Sequence, residues 1–135
     1  MTDEGRQQAV QGTVLAFDFG VKHIGVATGQ TITRTATPLT TIRATQGSPQ
    51  WKDVVTLVNE WRPVLLVVGL PLNMDDTESE MSEKARRFAG KLARHTGVAV
   101  ELADERLTSR EAGDRDDSHA AAAALIAETW LNASD

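Results

Sequence analysis

Three carboxylates sit at chain positions where acids can do chemistry. Asp18 ends the apolar run 13–19, just before Gly20. Glu105 lies in Asp104-Glu105-Arg106-Leu107-Thr108, directly after the apolar stretch 98–103. Asp117 stands at the start of the last helical segment. In a sheet with parallel crossovers, the C-terminal ends of the strands open on one crevice. Asp18 and Glu105 could meet there, with Asp117 brought alongside by the last helix. Three acids held together repel one another unless a cation joins them, and oxygen-only donors select Mg²⁺ or Mn²⁺. Two such ions would activate water and stabilise the leaving oxygen of a phosphodiester. Each acid also has an ordinary reading. Asp117 before Ser118 is what a helix N-cap looks like, and Glu105 could be solvated or paired with Arg106. Asp18, followed by Gly20 and Gly25, is evenly balanced. Spacing alone does not join the three.

A second group concerns partners. Lys84, Arg87, Lys91 and Arg94 follow steps of three, four and three, so they form one stripe along a helix. Such a stripe can contact phosphates; its plain alternative is a solvated face balanced by Glu80 and Glu83. Trp51, Trp61 and Trp130 read as core. The histidines His23, His95 and His119 show no metal-ligand spacing, although His119 beside Asp117 could assist a proton transfer. Dinucleotide and P-loop glycine motifs are missing, as is the hydrolase nucleophile elbow. Asp18-Phe19-Gly20 matches a kinase tripeptide with none of the other kinase motifs around it.

The elements that must position these residues are legible. Residues 13–19 read as a strand on which Val14, Ala16 and Asp18 share a face. Residues 24–28 and the threonine-rich 31–42 read as two more, giving a β-meander. Ser48-Pro49 predicts a helix start, and Trp51, Val54, Val55, Val58 and Trp61 recur at helical spacing up to Pro63. Residues 64–68 form an all-apolar strand, as expected where both faces are covered, and Gly69-Leu70-Pro71 turns the chain into the polar loop 73–80. A second helix is expected over about 77–95, with Met81, Ala85, Phe88 and Leu92 on one face. Residues 98–103 form another strand and 104–111 a loop or short helix. The last helix covers about 118–132 and carries five successive alanines, Ala120 to Ala124. The order β-β-β-α-β-α-β-α predicts a mixed sheet with helices on both faces.

Composition bounds the rest. The 135 residues fit one domain, and 14 basic against 19 acidic residues leave a net charge of −5. That sum lowers the expectation of general nucleic-acid binding without excluding a local phosphate-binding patch. There is no cysteine, which excludes disulfides, thiol nucleophiles and Cys-ligated metals. No stretch approaches the length of a membrane span. The polar stretch 1–12 lacks signal-peptide character and reads as a disordered tail on a cytoplasmic domain covering 13–135.

Four anchors in order resemble the YqgF family, which is related to Holliday-junction resolvases within the RNase H-like superfamily. They are Leu15-Ala16-Phe17-Asp18-Phe19-Gly20 with Ile24-Gly25-Val26-Ala27, and Val68-Gly69-Leu70-Pro71-Leu72-Asn73-Met74-Asp75. Asp104-Glu105-Arg106-Leu107-Thr108 and Asp117-Ser118-His119-Ala120-Ala121 complete the set. The resemblance spans nearly the whole chain from Gly12. It implies an RNase H-like fold, with a five-stranded mixed sheet of three antiparallel and then two parallel strands. It implies a nuclease that matures precursor 16S ribosomal RNA, with Asp18, Glu105 and Asp117 as the acidic triad and Mg²⁺ or Mn²⁺ as its ion. Arg106 and Thr108 match a family motif and are expected to make supporting contacts to site or substrate. One departure stands out: only residues 109–116 separate the Glu-bearing motif from the last helix, a shorter segment than the family's. Asp116 is therefore a candidate substitute for Asp117.

The expectation is a metal-dependent endonuclease on structured RNA, monomeric or weakly dimeric, with no membrane partner. The rivals are a DNA-junction resolvase and a non-catalytic RNA-binding module. The turn from Asp18 to Gly25 also resembles the first phosphate loop of actin-like ATPases, which need a second domain.

Overall fold

The computed structural model describes residues 11–72, 79–106 and 118–133. Among them, six strands form one sheet and three helices cover its faces. The strands are β1 (Thr13–Asp18), β2 (His23–Gln30), β3 (Thr35–Thr45), β4 (Ser48–Pro49), β5 (Leu65–Leu72) and β6 (Val100–Arg106). The helices are α1 (Trp51–Trp61), α2 (Glu80–Thr96) and α3 (Ser118–Ala133). The spatial order is β4-β3-β2-β1-β5-β6. β1, β2 and β3 pair antiparallel, while β5 runs parallel to both β1 and β6. This is the expected mixed sheet, extended by a two-residue edge strand.

Side-chain alternation divides the core in two. Leu15 and Phe17 of β1, Ile24 and Val26 of β2, and Leu66 and Val68 of β5 face α1 and α2. Phe88 of α2 anchors that side, its ring 6.0 Å from Phe17, 5.3 Å from Phe19 and 5.6 Å from Trp51. Val14, Ala16, Leu65, Val67 and Ala103 face the other way and meet Ile126 and Ala127 of α3. α3 also seats Ala123 and Ala124 against Ala27. Each core strand is therefore apolar on both faces, which is why 64–68 shows no alternation.

Several boundaries differ from the sequence reading. Ser48 and Pro49 pair with β3 instead of capping a helix, and α1 starts at Trp51 with Gln50 as an N-cap that makes no side-chain bond. The β3 register places its ends at Thr35 and Thr45, because residues 31–34 turn the chain first. α2 starts at Glu80, where Ser79 and Ser82 form a reciprocal capping box. Ser82 is fully buried and donates to the Pro71 carbonyl at 2.9 Å, tying the start of α2 to the end of β5. Trp61 is 38% exposed, and only Val54 and Val58 of α1 are fully buried. Trp130 lies at the core margin, where its indole N–H donates to Glu101 Oε1 at 2.9 Å. No helix among the described residues is long and apolar enough to cross a membrane. The expected tail falls almost wholly on residues 1–10, outside the described residues.

Candidate functional site

The sheet register builds the site. Asp18 is the last residue of β1 and shares the α3 face with Val14 and Ala16. Phe17 pairs with Val68, so Asp18 comes level with Gly69 on β5. Gly69 pairs with Ala103, and Glu105 lies two residues further along β6, on the same face. β6 runs through to Arg106, so Glu105 is a strand residue, not the loop residue the sequence predicts. The order across the sheet is Asp18, Gly69, Glu105.

Gly69 makes the arrangement possible. A Cβ there would lie 2.5 Å from Ile126 Cδ1 and 3.1 Å from Glu105 Oε1. The Glu105 carboxylate thus leans over the strand that separates it from Asp18, into space that any side chain would fill. The sequence reading placed Gly69 in a turn; it lies inside β5, and its missing side chain is the gap between the two acids.

The electrostatics agree. The Asp18 carboxyl is raised from its ordinary 3.8 to about 7, first by burial and second by the negative charge of Glu105. Both causes penalise the ionised form. A divalent cation between the two carboxylates would offset both, and hard oxygen donors suit Mg²⁺ or Mn²⁺. The residues present therefore fit such an ion. Among the described residues no three His, Cys, Asp or Glu side chains form a metal-sized cluster. Asp117, Asp116 and Thr108 lie outside the described residues, and Arg106 is described only by its place at the end of β6.

α3 reaches this end of the sheet because β2 is small where the helix crosses it. A Cβ on Gly25, the register partner of Asp18, would collide with the carbonyl oxygen of His119. One on Gly29 would lie 2.9 Å from Val14 and 3.2 Å from Leu131. The first turn of α3 is consequently held against the strand beside Asp18. It places the His119 ring on the His23 ring, with centroids 4.8 Å apart and planes inclined by 22°. The sequence did not announce this pair, since the two residues lie far apart in the chain. The one available signal is that His23 precedes Gly25 by two and so shares its face.

The basic stripe is separate. Lys84, Arg87, Lys91 and Arg94 are all exposed on α2, on the opposite side of the sheet from Asp18. Arg87 makes an exposed pair with Glu83 at 3.8 Å. A shallow open groove of about 490 Å³ is lined, among the described residues, by Arg87, Gly90, Lys91 and Arg94. α2 begins at the site end of β5, so the stripe runs from the rim of the site away along the helix.

Comparison with known proteins identifies the family. A protein from Pectobacterium carotovorum subsp. carotovorum, named "Putative pre-16S rRNA nuclease", is 49% identical over 133 residues, covering 90% of this chain and 96% of its own. A protein of the same name from Shewanella oneidensis is 55% identical over 103 residues, covering 76% of this chain and 73% of its own. The solved structure of Thermus thermophilus RuvC with a Holliday junction substrate aligns with a TM-score of 0.57 at 16% identity. It covers 92% of this chain and 96% of the other, a likeness of fold. The family model described as "RuvX: Holliday junction resolvase" matches residues 12–133, so the chain belongs to the RuvX family, the YqgF family of the sequence reading.

Proposed function

We propose that this protein is a metal-dependent endonuclease that hydrolyses phosphodiester bonds in structured RNA, with precursor 16S ribosomal RNA as substrate. The carrying observation is the convergence of Asp18 and Glu105 beside Gly69, with the Asp18 carboxyl raised to about 7 first by burial and second by the Glu105 charge. The name shared by the relatives supports the choice of substrate.

Asp18 and Glu105 would hold Mg²⁺ or Mn²⁺, with Asp117 as the third ligand and Asp116 as its substitute. When bound, the ion supplies the Lewis acidity that phosphodiester hydrolysis needs at neutral pH. The chain's own contribution is placement. β1 and β6 fix the two carboxylates on one face, Gly69 keeps the space between them clear, and α3 closes the side near Gly25. Lys84, Arg87, Lys91 and Arg94 bind phosphates of the RNA outside the cleavage site. Arg106 and Thr108 follow Glu105 closely in the chain and support the site or the substrate.

The test is cleavage of a precursor 16S RNA fragment by pure protein with Mg²⁺, Mn²⁺ or EDTA, beside Asp18→Asn. Metal-dependent cuts that vanish in the variant are expected. Full activity of Asp18→Asn would refute the assignment. The family model's description favours one second reading, a DNA-junction resolvase. A four-way DNA junction run in the same assay decides between them: preferential symmetric cutting of the junction would replace RNA as the substrate.

A further inference from the structure

We infer that the stacked imidazoles of His23 and His119, with Arg43 beside them, form a subsite for one unpaired nucleotide of RNA next to the acidic pair. This deepens the nuclease reading and rests on it for the identity of the ligand. The His23–Arg43 pair lies two residues along the strands from the cross-sheet line through Asp18, towards the same end of the sheet. Asp18 pairs with Gly25, Gly25 with Thr41, and His23 with Arg43. Directly paired residues of antiparallel strands share a face. Asp18, His23 and Arg43 are therefore all on the α3 side, at the same end. From Asp18 to Arg43 is two inter-strand steps sideways and two residues along, roughly 12 Å.

Each part has a property that suits a nucleotide. His119 is half-buried in the first turn of α3, which the Gly25 contact holds in place. It backs the ring of His23, which is exposed. The turn leading into His23 is tight, because a Cβ on Gly20 would collide with the His23 carbonyl. An exposed ring braced from behind is a platform on which a base can continue the stack, and such stacking tolerates any base. Arg43 is exposed directly across from His23 and supplies the cation for the adjoining phosphate. A base in a duplex already has its faces occupied by neighbours, so the platform selects an unstacked nucleotide. His119 is a positioning residue here; His23 and Arg43 touch the substrate.

The experiment is equilibrium binding in EDTA, where no cleavage intervenes. Full-length protein is titrated with a single-stranded oligoribonucleotide carrying a fluorescent base analogue, and with the duplex of the same sequence. Against wild type, His23→Ala is expected to weaken single-strand binding about fivefold or more and to leave duplex binding nearly unchanged. His23→Phe is expected to restore single-strand binding, since a phenyl ring stacks but neither ligates metal nor carries a proton. Arg43→Gln is expected to lower the salt slope for single strands by about 0.7. Unchanged binding by His23→Ala overturns the subsite. Failure of His23→Phe to restore it does so too, as does an equal loss on duplex. The two readings fail separately. Protein that cleaves nothing with any ion, yet shows the Ala loss and Phe rescue, keeps the subsite and loses the nuclease. Cleaving protein with no loss in His23→Ala does the reverse.

Discussion

Replacing Asp18 with Asn should make the metal-free protein more stable while abolishing its activity. Folded Asp18 keeps its proton up to about pH 7, whereas the unfolded chain releases it near 3.8. Between those values the native state binds more protons than the unfolded state, so stability falls as pH rises through that window. The loss is complete above about pH 7. At 1.36 kcal/mol per pH unit it amounts to about 4 kcal/mol at pH 8, and to less than about 1 kcal/mol at pH 4. Asn has no charge to bury and escapes this loss. Urea or thermal unfolding of both proteins in EDTA, at pH 4 and pH 8, measures it. The curves should lie close together at pH 4 and separate at pH 8, with the variant's Tm higher by roughly 10–15 °C. The comparison across pH cancels any constant effect of the amide. Millimolar Mg²⁺ should then raise the Tm of the wild type above pH 7 more than that of the variant, which has lost one of the negative charges that would hold the ion. Parallel pH dependences for the two proteins would refute the picture of an acid buried at a site built for a cation.

Three further variants probe the site and the basic stripe. Gly69→Ala puts a methyl group 3.1 Å from Glu105 Oε1 and 2.5 Å from Ile126 Cδ1; it should cost about 1–3 kcal/mol in urea unfolding and raise the Mg²⁺ concentration needed for half-maximal cleavage. Gly25→Ala meets the backbone of α3 instead of a side-chain tip, so the expected cost is about 3 kcal/mol or more, read as a lowered urea midpoint. Reversing Lys84, Arg87 and Lys91 to Glu should weaken RNA binding and flatten its dependence on salt; an unchanged slope would leave the stripe as a solvated face.

The sequence made the fold legible because the decisive signals are local. The apolar runs in 13–19 and 64–68 report strands covered on both faces, and the helical spacing around Phe88 reports a helix with one buried face. What escaped it depends on pairing. Ser48-Pro49 has the local chemistry of a helix start, but antiparallel pairing with Ala44 and Thr45 took those residues into the sheet. Gly69 looks like a turn beside Pro71, yet register with Ala103 keeps it in β5. Asp18 was legible as an acid ending an apolar strand. Its meeting with Glu105 was readable as a possibility from the parallel crossovers, but the glycine on a third strand that leaves room for it was not. His23 and His119 are further apart still, and nothing in either neighbourhood marks the other.

The small residues of β2 tie stability to chemistry. Gly25, Ala27 and Gly29 form one face of the strand, and Ala120, Ala123, Ala124 and Ala127 form the ridge of α3 that rests on it. An alanine ridge buries little area per residue, so the contact draws its strength from close approach, where dispersion counts most. Close approach also fixes where the first turn of α3 ends up, and that turn carries His119 to His23. A larger residue on β2 would bury more surface and still harm the site by lifting the helix. Gly25 lies where the helix start meets the register partner of Asp18, whereas Gly29 meets Leu131 in the last turn. Substitutions at the two glycines should therefore separate. Gly29→Ala should lower stability and leave cleavage per folded molecule close to wild type, while Gly25→Ala should lower both.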